Sequence, residues 1–281
     1  MYSRFVFRFL AAGLALAAAV PAGAQRSRDR SDRSPEERGQ DWLERCQDND
    51  RNGDYERFCE LREVRVAVTK ALDVDGRQNG GVTVHGWDRA EMRVLAKIQT
   101  SAEDAADAKA LASRITIDAT DGRLRAEGPS MGRRSSWSVS YEIWAPKQTN
   151  LNITTHNGGI SVDDLDGRLD LGALNGGITL RSVAGDVRGE TTNGPLTVDL
   201  DGERWRGTGL ELRTTNGPVN LSIPQGYSAR LETGTTNGGM RIDFPITIQG
   251  SIGRRISTQL GSGGPTVRAI TTNGPVTISR R

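Results

Sequence analysis

Thr192-Asn193-Gly194-Pro195-Leu196 is one copy of a phrase that returns through the second half of the chain. The other copies are His156-Asn157-Gly158-Gly159-Ile160, Leu174-Asn175-Gly176-Gly177-Ile178, Thr215-Asn216-Gly217-Pro218-Val219, Thr236-Asn237-Gly238-Gly239-Met240 and Thr272-Asn273-Gly274-Pro275-Val276. Their asparagines stand 18, 18, 23, 21 and 36 residues apart, a period suited to one coil of a solenoid. Asn-Gly tolerates positive φ at both positions, so each copy predicts a tight reversal between two extended runs. Strict alternation follows, as in Ile160-Ser161-Val162, Ile178-Thr179-Leu180 and Leu196-Thr197-Val198. A period of two sends the branched apolar residues to one face and Ser, Thr or Asn to the other. Second turn signals at Asp166-Gly167, Gly185-Asp186 and Asp201-Gly202 make each period two short strands and two turns.

Two architectures satisfy this pattern. In an antiparallel meander each Asn-Gly closes its own hairpin, and one turn has no reason to resemble the next. In a β-solenoid, equivalent residues lie over one another, which explains why the whole phrase recurs. The solenoid is therefore favoured, with Asn157, Asn175, Asn193, Asn216, Asn237 and Asn273 forming a ladder at one corner. The expected fold is all-β, with the repeat over residues 147–281 and a β-rich N-terminal cap over residues 61–146.

Residues 1–24 have the form of a secretory signal: Arg4 and Arg8, twelve apolar residues at 9–20, then Ala22-Gly23-Ala24 before Gln25. Twelve is short of the roughly twenty needed to span a bilayer, and no membrane span is expected after the signal is cleaved. Without this leader the chain holds 35 basic and 35 acidic residues, so charge does not point to nucleic acid. Residues 25–45 open on alternating charge with no apolar residue before Trp42, which suits a flexible spacer. The two cysteines, Cys46 and Cys59, are expected to form one disulfide closing the loop 46–60. Inside it, Asp48-Asn49-Asp50-Arg51-Asn52-Gly53 resembles the start of an EF-hand calcium loop. The twelfth position is Cys59 where glutamate is needed, so a solvated acidic loop is the simpler reading.

Within 61–146, Asn79-Gly80-Gly81-Val82-Thr83-Val84 is an early copy of the phrase. Residues 101–114 break the β pattern, with Ser101 as N-cap and many alanines, and give the one helix expected. Its apolar face is Ala105, Ala108, Leu111, Ala112 and Ile115. Trp87, Trp137, Tyr141 and Trp144 suit a cap over the first coil, since repeat stacks need closed ends. At the other end Val276-Thr277-Ile278-Ser279 completes a repeat before Arg280 and Arg281. This last strand is expected to expose its edge, with edge-to-edge self-association as one outcome.

Several motifs in order carry a family resemblance: Cys59-Glu60-Leu61-Arg62, residues 79–88, Tyr141-Glu142-Ile143-Trp144-Ala145-Pro146, the Asn-Gly copies and Gly263-Gly264-Pro265-Thr266-Val267. Over about residues 55–281 the chain resembles the bacterial putative adhesin family, β-strand repeat proteins that carry a domain of unknown function. That resemblance implies a right-handed, β-solenoid-like, exported and noncatalytic protein, and it defines no catalytic or ligand residues.

Motifs of chemistry are sparse. His85 and His156 lie far apart without metal-ligand spacing, and no nucleophile elbow, Walker loop or His-Glu-x-x-His is present. No cofactor is expected. Asp163, Asp164, Asp166 and Asp170, followed by Asp186, Asp199 and Asp201, are the densest acids in the repeat. Paired acids on a β-helix can cleave polysaccharides, although solvated turn acids are the more ordinary explanation. Arg204-Trp205-Arg206 fits a loop-packed tryptophan better than a sugar platform. The expected role is an interaction module that presents a rigid Thr/Ser/Asn-rich face to an envelope protein or glycan. Its expected place is periplasmic, outer-envelope or extracellular. The alternatives are a β-helix polysaccharide lyase or hydrolase, and an envelope scaffold for regulatory partners.

Overall fold

A computed structural model describes residues 33–48, 55–67, 71–245 and 254–281. The secretory signal and residues 49–53 of the calcium-like motif lie outside the described residues. From Pro35 on the chain forms one compact unit. It opens with α1 (Pro35–Asp48), β1 (Glu56–Arg65), β2 (Ala71–Asp75), β3 (Val82–Trp87), β4 (Arg93–Ala102), α2 (Ala105–Ser113), β5 (Thr116–Asp118), β6 (Arg123–Glu127) and β7 (Ser136–Pro146). The repeat continues with β8 (Asn150–Thr155), β9 (Ile160–Asp163), β10 (Asp166–Ala173), β11 (Ile178–Arg181), β12 (Ala184–Asn193), β13 (Leu196–Asp199), β14 (Gly209–Asn216) and β15 (Val219–Ile223). It closes with β16 (Ala229–Asn237), β17 (Met240–Ile242), β18 (Arg255–Leu260), β19 (Thr266–Asn273) and β20 (Val276–Arg280).

Two ten-stranded sheets result, ordered β1-β4-β7-β3-β9-β11-β13-β15-β20-β17 and β18-β16-β19-β14-β12-β10-β8-β2-β6-β5. The stacked coils of the repeat pair in parallel, with only β18 closing the second sheet antiparallel to β16, which settles the architecture as a solenoid over a meander. Each coil contributes one strand to each sheet and turns at the Asn-Gly corner. The sheets close on a core whose columns follow the registers. Ile160, Ile178, Leu196, Val219 and Val276 line up on one side, and Leu151, Leu169, Val187, Leu210 and Val267 on the other. All ten are buried.

The corner explains the phrase. The side-chain amide of each asparagine donates to Oδ1 of the neighbouring one: Asn157 to Asn79 at 3.0 Å, Asn175 to Asn157 at 2.9 Å, and Asn193 to Asn175 at 2.8 Å. Asn216 to Asn193, Asn273 to Asn216 and Asn237 to Asn273 extend the series at 2.8–2.9 Å. The expected ladder therefore exists, and Asn79 joins it. The glycine after each asparagine is required for a different reason from the one the sequence suggests. Among the described residues no corner asparagine has positive φ, and of the glycines that follow them only Gly274 does. A Cβ on Gly158, Gly176, Gly194, Gly217, Gly274 or Gly238 would instead lie 2.0–2.2 Å from a glycine carbonyl oxygen of the adjacent coil. Close backbone approach, not a left-handed turn, excludes a side chain there. The buried Thr191, Thr214 and Thr271 close the set, each donating from Oγ1 to such a carbonyl at 2.6–2.8 Å.

Spatial order departs from chain order at both ends. The coil β19/β20 lies between β14/β15 and β16/β17, and the coil β2/β3 lies between β6/β7 and β8/β9. Thus the 36-residue gap before Asn273 is one coil laid down out of turn. The expectation of an exposed final edge is corrected: β20 pairs with β15 on one side and β17 on the other. The region 61–146, expected as a cap, supplies two coils of the stack as well as antiparallel closing strands β1, β4 and β5.

Among the described residues two helices are present where one was expected. The second, α2, is the expected one, but it starts later: the side chain of Asp104, not Ser101, caps it by accepting from the Asp107 N–H at 2.7 Å. Ala108, Leu111 and Ala112 are buried under it, while Ala105 is exposed. The first, α1, replaces the C-terminal part of the expected spacer. Its acidic first turn, Glu36 and Glu37, suits a helix N-terminus, and tertiary anchors hold it. Cys46 forms the expected disulfide with Cys59 of β1, and Gly39 packs closely on Leu61 and Leu95.

In thermal denaturation Gly194→Ala is expected to destabilise by about 3 kcal/mol, because its Cβ meets backbone that cannot yield. Asn193→Ala, which removes exposed hydrogen bonds, is expected to cost about 1–2 kcal/mol. The reverse order would contradict the close-approach account.

Candidate functional site

The outward side of the first sheet carries two rows set by register. One row runs Thr83, Ser161, Thr179, Thr197, Asn220 and Thr277 across β3, β9, β11, β13, β15 and β20. Beside it run His85, Asp163, Arg181, Asp199, Ser222 and Ser279 on the same strands. Parallel pairing sets successive members about 4.8 Å apart. Threonine suits this position because its branched Cβ favours extended backbone while the hydroxyl stays wet. These members of the first row are half-exposed or exposed. The second sheet presents a different face, a row of charge and amide: Asp73, Asn152, Asp170, Arg188, Glu211, Arg268 and Glu232.

At one end the hydroxyl face runs into a charged cluster beneath α1. Glu142 on β7 is only 4% exposed. It accepts from Lys97 of β4 at 2.5 Å and from Arg38 of α1 at 3.1 Å. His85 sits between two carboxylates, with Nε2 3.1 Å from Glu142 and Nδ1 3.3 Å from Asp163. Asp163 also pairs with Arg181, which reaches Asp199 at 3.4 Å. The Trp144 ring lies 5.5 Å from the His85 ring. Burial works against charge on His85, but hydrogen bonds to Asp163 and Glu142 outweigh it and raise its pKa. Burial likewise pushes Glu142 up. The hydrogen bond with His85 and the charge of Lys97 outweigh that and hold it at about 2. The cluster balances its own charge and ties α1 to the sheet.

The acids singled out in the sequence do not converge. Asp163 and Asp199 face outward on the first sheet, each paired with Arg181. Asp170 and Asp186 lie on the second sheet, and Asp166 opens a strand there. Asp164 sits in the intervening turn at φ +55 and pairs with Lys147. Asp201 pairs with Arg281. Trp205 is packed inward and donates Nε1–H to the Gly185 carbonyl at 3.1 Å, as its loop position suggested. His156 is an exposed corner residue. No group of three or more metal-ligating side chains able to hold an ion occurs among the described residues. Sequence reasoning missed Glu142 and Lys97. The available signal was a glutamate alternating into the aromatic run Tyr141-Glu142-Ile143-Trp144, where an unpaired charge would be costly.

A family model described as Toastrack DUF4097 matches residues 77–279. No curated protein matches. Among solved structures, a putative cell adhesion protein from Clostridium sporogenes is 11% identical, with a TM-score of 0.43 over 80% of this chain and 100% of its own. A putative adhesin from Bacteroides fragilis is 11% identical, with a TM-score of 0.38 over 80% of this chain and 97% of its own. A putative lipid binding protein from Parabacteroides distasonis is 9% identical, with a TM-score of 0.29 over 78% and 96%. Likeness at this level carries no function across.

The cluster sets a pH window. A raised histidine contributes stability that is complete below its ordinary value and lost as pH rises through its folded value. A lowered glutamate contributes stability present above its ordinary value and lost as pH falls toward about 2. The melting temperature is therefore expected to decline as pH rises above about 6.5, the ordinary histidine value. His85→Gln should remove that decline, and parallel curves for the two proteins would contradict it. Glu142→Gln is expected to cost about 3 kcal/mol, because Lys97, Arg38 and His85 lose their shared partner.

Proposed function

The chain belongs to the Toastrack DUF4097 family, and from that premise we propose that it is a noncatalytic interaction module exported to the cell envelope. The observation that carries this reading is the in-register row Thr83, Ser161, Thr179, Thr197, Asn220 and Thr277. A solenoid face of this kind is flat and rigid, and its short side chains lose little entropy when they are contacted. Donors and acceptors at a fixed repeat suit weak, multivalent contact with a repetitive partner, a glycan or an extended protein segment. Dispersal of the acids over two sheets, with Asp163, Asp164, Asp170, Asp199 and Asp201 paired to basic side chains, argues against a pair poised for glycoside chemistry. The Cys46–Cys59 disulfide supports an oxidising compartment.

Binding of the disulfide-intact chain to envelope fragments and to a glycan array tests this. Replacing Thr179 and Thr197 together by arginine is expected to weaken binding at least about tenfold with no drop in melting temperature. Asp170→Arg on the opposite sheet should leave binding intact. Equal binding by the double variant, or no binding by the parent chain, would overturn the assignment.

A further inference from the structure

The asparagine ladder has a direction, and its first member is left with donors to give. Asn157, Asn175 and Asn193 each donate twice toward the preceding coil. Asn157 gives its main-chain N–H to the Gln78 carbonyl at 2.9 Å and its side-chain amide to Asn79 at 3.0 Å. Asn175 does the same to His156 and Asn157 at 2.7 and 2.9 Å, and Asn193 to Leu174 and Asn175 at 2.8 Å each. Beyond Asn79 the outermost coil, β6/β7, turns through residues 128–135 and has no asparagine at that level. Among the described residues the Asn79 side-chain amide meets only the Met131 sulfur, at 3.9 Å. A thioether is a weak acceptor. No main-chain carbonyl takes the Asn79 N–H among the described residues.

This corner borders a cavity of about 400 Å³, lined by Arg77, Asn79, Pro129, Met131, Trp137 and Tyr141 among others. The volume is in the range that holds small ligands. The Trp137 indole N–H already bonds the Pro129 carbonyl at 2.8 Å, which leaves its ring as an apolar wall. Tyr141, 1% exposed, contributes a hydroxyl with no hydrogen-bond partner. A buried hydroxyl left in that state carries a desolvation cost that an occupant can relieve. Arg77 is engaged with Asp75, Glu127 and the Ala126 carbonyl, so the cavity does not present a free cation. That balance favours a neutral ligand over an anion. Met131, flexible and 41% exposed, is the part of the wall that can give way.

We propose that this cavity binds an N-acetylated sugar, whose acetamido carbonyl takes the place of the missing ladder oxygen above Asn79 while the ring lies against Trp137. This site is separate from the hydroxyl face, and failure of either reading leaves the other standing.

The test is an NMR titration of the disulfide-intact chain with N-acetylglucosamine, glucose and an N-acetylated amino-acid amide, following the Asn79 amide and Trp137 indole signals. Saturable shifts are expected with N-acetylglucosamine and none with glucose. Asn79→Asp keeps the oxygen that Asn157 needs and loses the donor, so it should melt like the parent and bind about tenfold more weakly. Met131→Trp, at an exposed loop position, fills the cavity and should abolish the shifts. No saturable shift, equal response to glucose, tighter binding of the amino-acid amide, or parental binding by both variants would overturn the proposal.

Discussion

Everything in this fold rests on the contact between one Asn-Gly corner and the next. The asparagine fixes the spacing by donating from main chain and side chain together, and the glycine permits it by having no Cβ to strike the adjacent carbonyl. Either residue alone would fall short. A corner with asparagine and a larger neighbour could not close, and a corner with glycine alone would close without a defined register. Once coil spacing is fixed, pairing of both sheets follows, and with it the columns of Ile, Leu and Val between them.

Register has the same effect outside the core as inside it. Because each strand repeats its phase, side chains of one kind gather into rows. One sheet carries a hydroxyl row beside a row that begins His85, Asp163, Arg181 and Asp199, while charged and amide groups line the other, with Arg268 between Glu211 and Glu232. The hydroxyl row stops where α1 covers the sheet, and the stop is electrostatic. A carboxylate as buried as Glu142 is tolerable only because a lysine, an arginine and a histidine converge on it. Covalent attachment through Cys46–Cys59 and the Arg93–Glu36 pair hold the helix from other directions.

Much of this architecture was legible in the repeat, because stacking demands recurrence and recurrence is visible. The ladder residues and the apolar columns follow from period alone. What could not be read was anything set by contacts between distant segments. The charge run that opens like a spacer becomes helix from Pro35 on, because Gly39 packs on Leu61 of β1 and Leu95 of β4 while Cys46 is bonded to Cys59. Glu142 takes its meaning from Lys97, His85 and Arg38, none of them near it in sequence. The order of coils was hidden too. A gap of 36 residues between asparagines does not reveal that the later coil lies inside the earlier one.

That exchange of places at each end has a mechanical consequence. A tension applied through Arg281 does not peel the outermost coil away. It loads β20 while that strand is hydrogen-bonded on both flanks, so the bonds to β15 and β17 must shear together instead of opening one by one. A module tethered through this strand would thus bear load where it is held on both sides, and the coil outside it would act as a clamp.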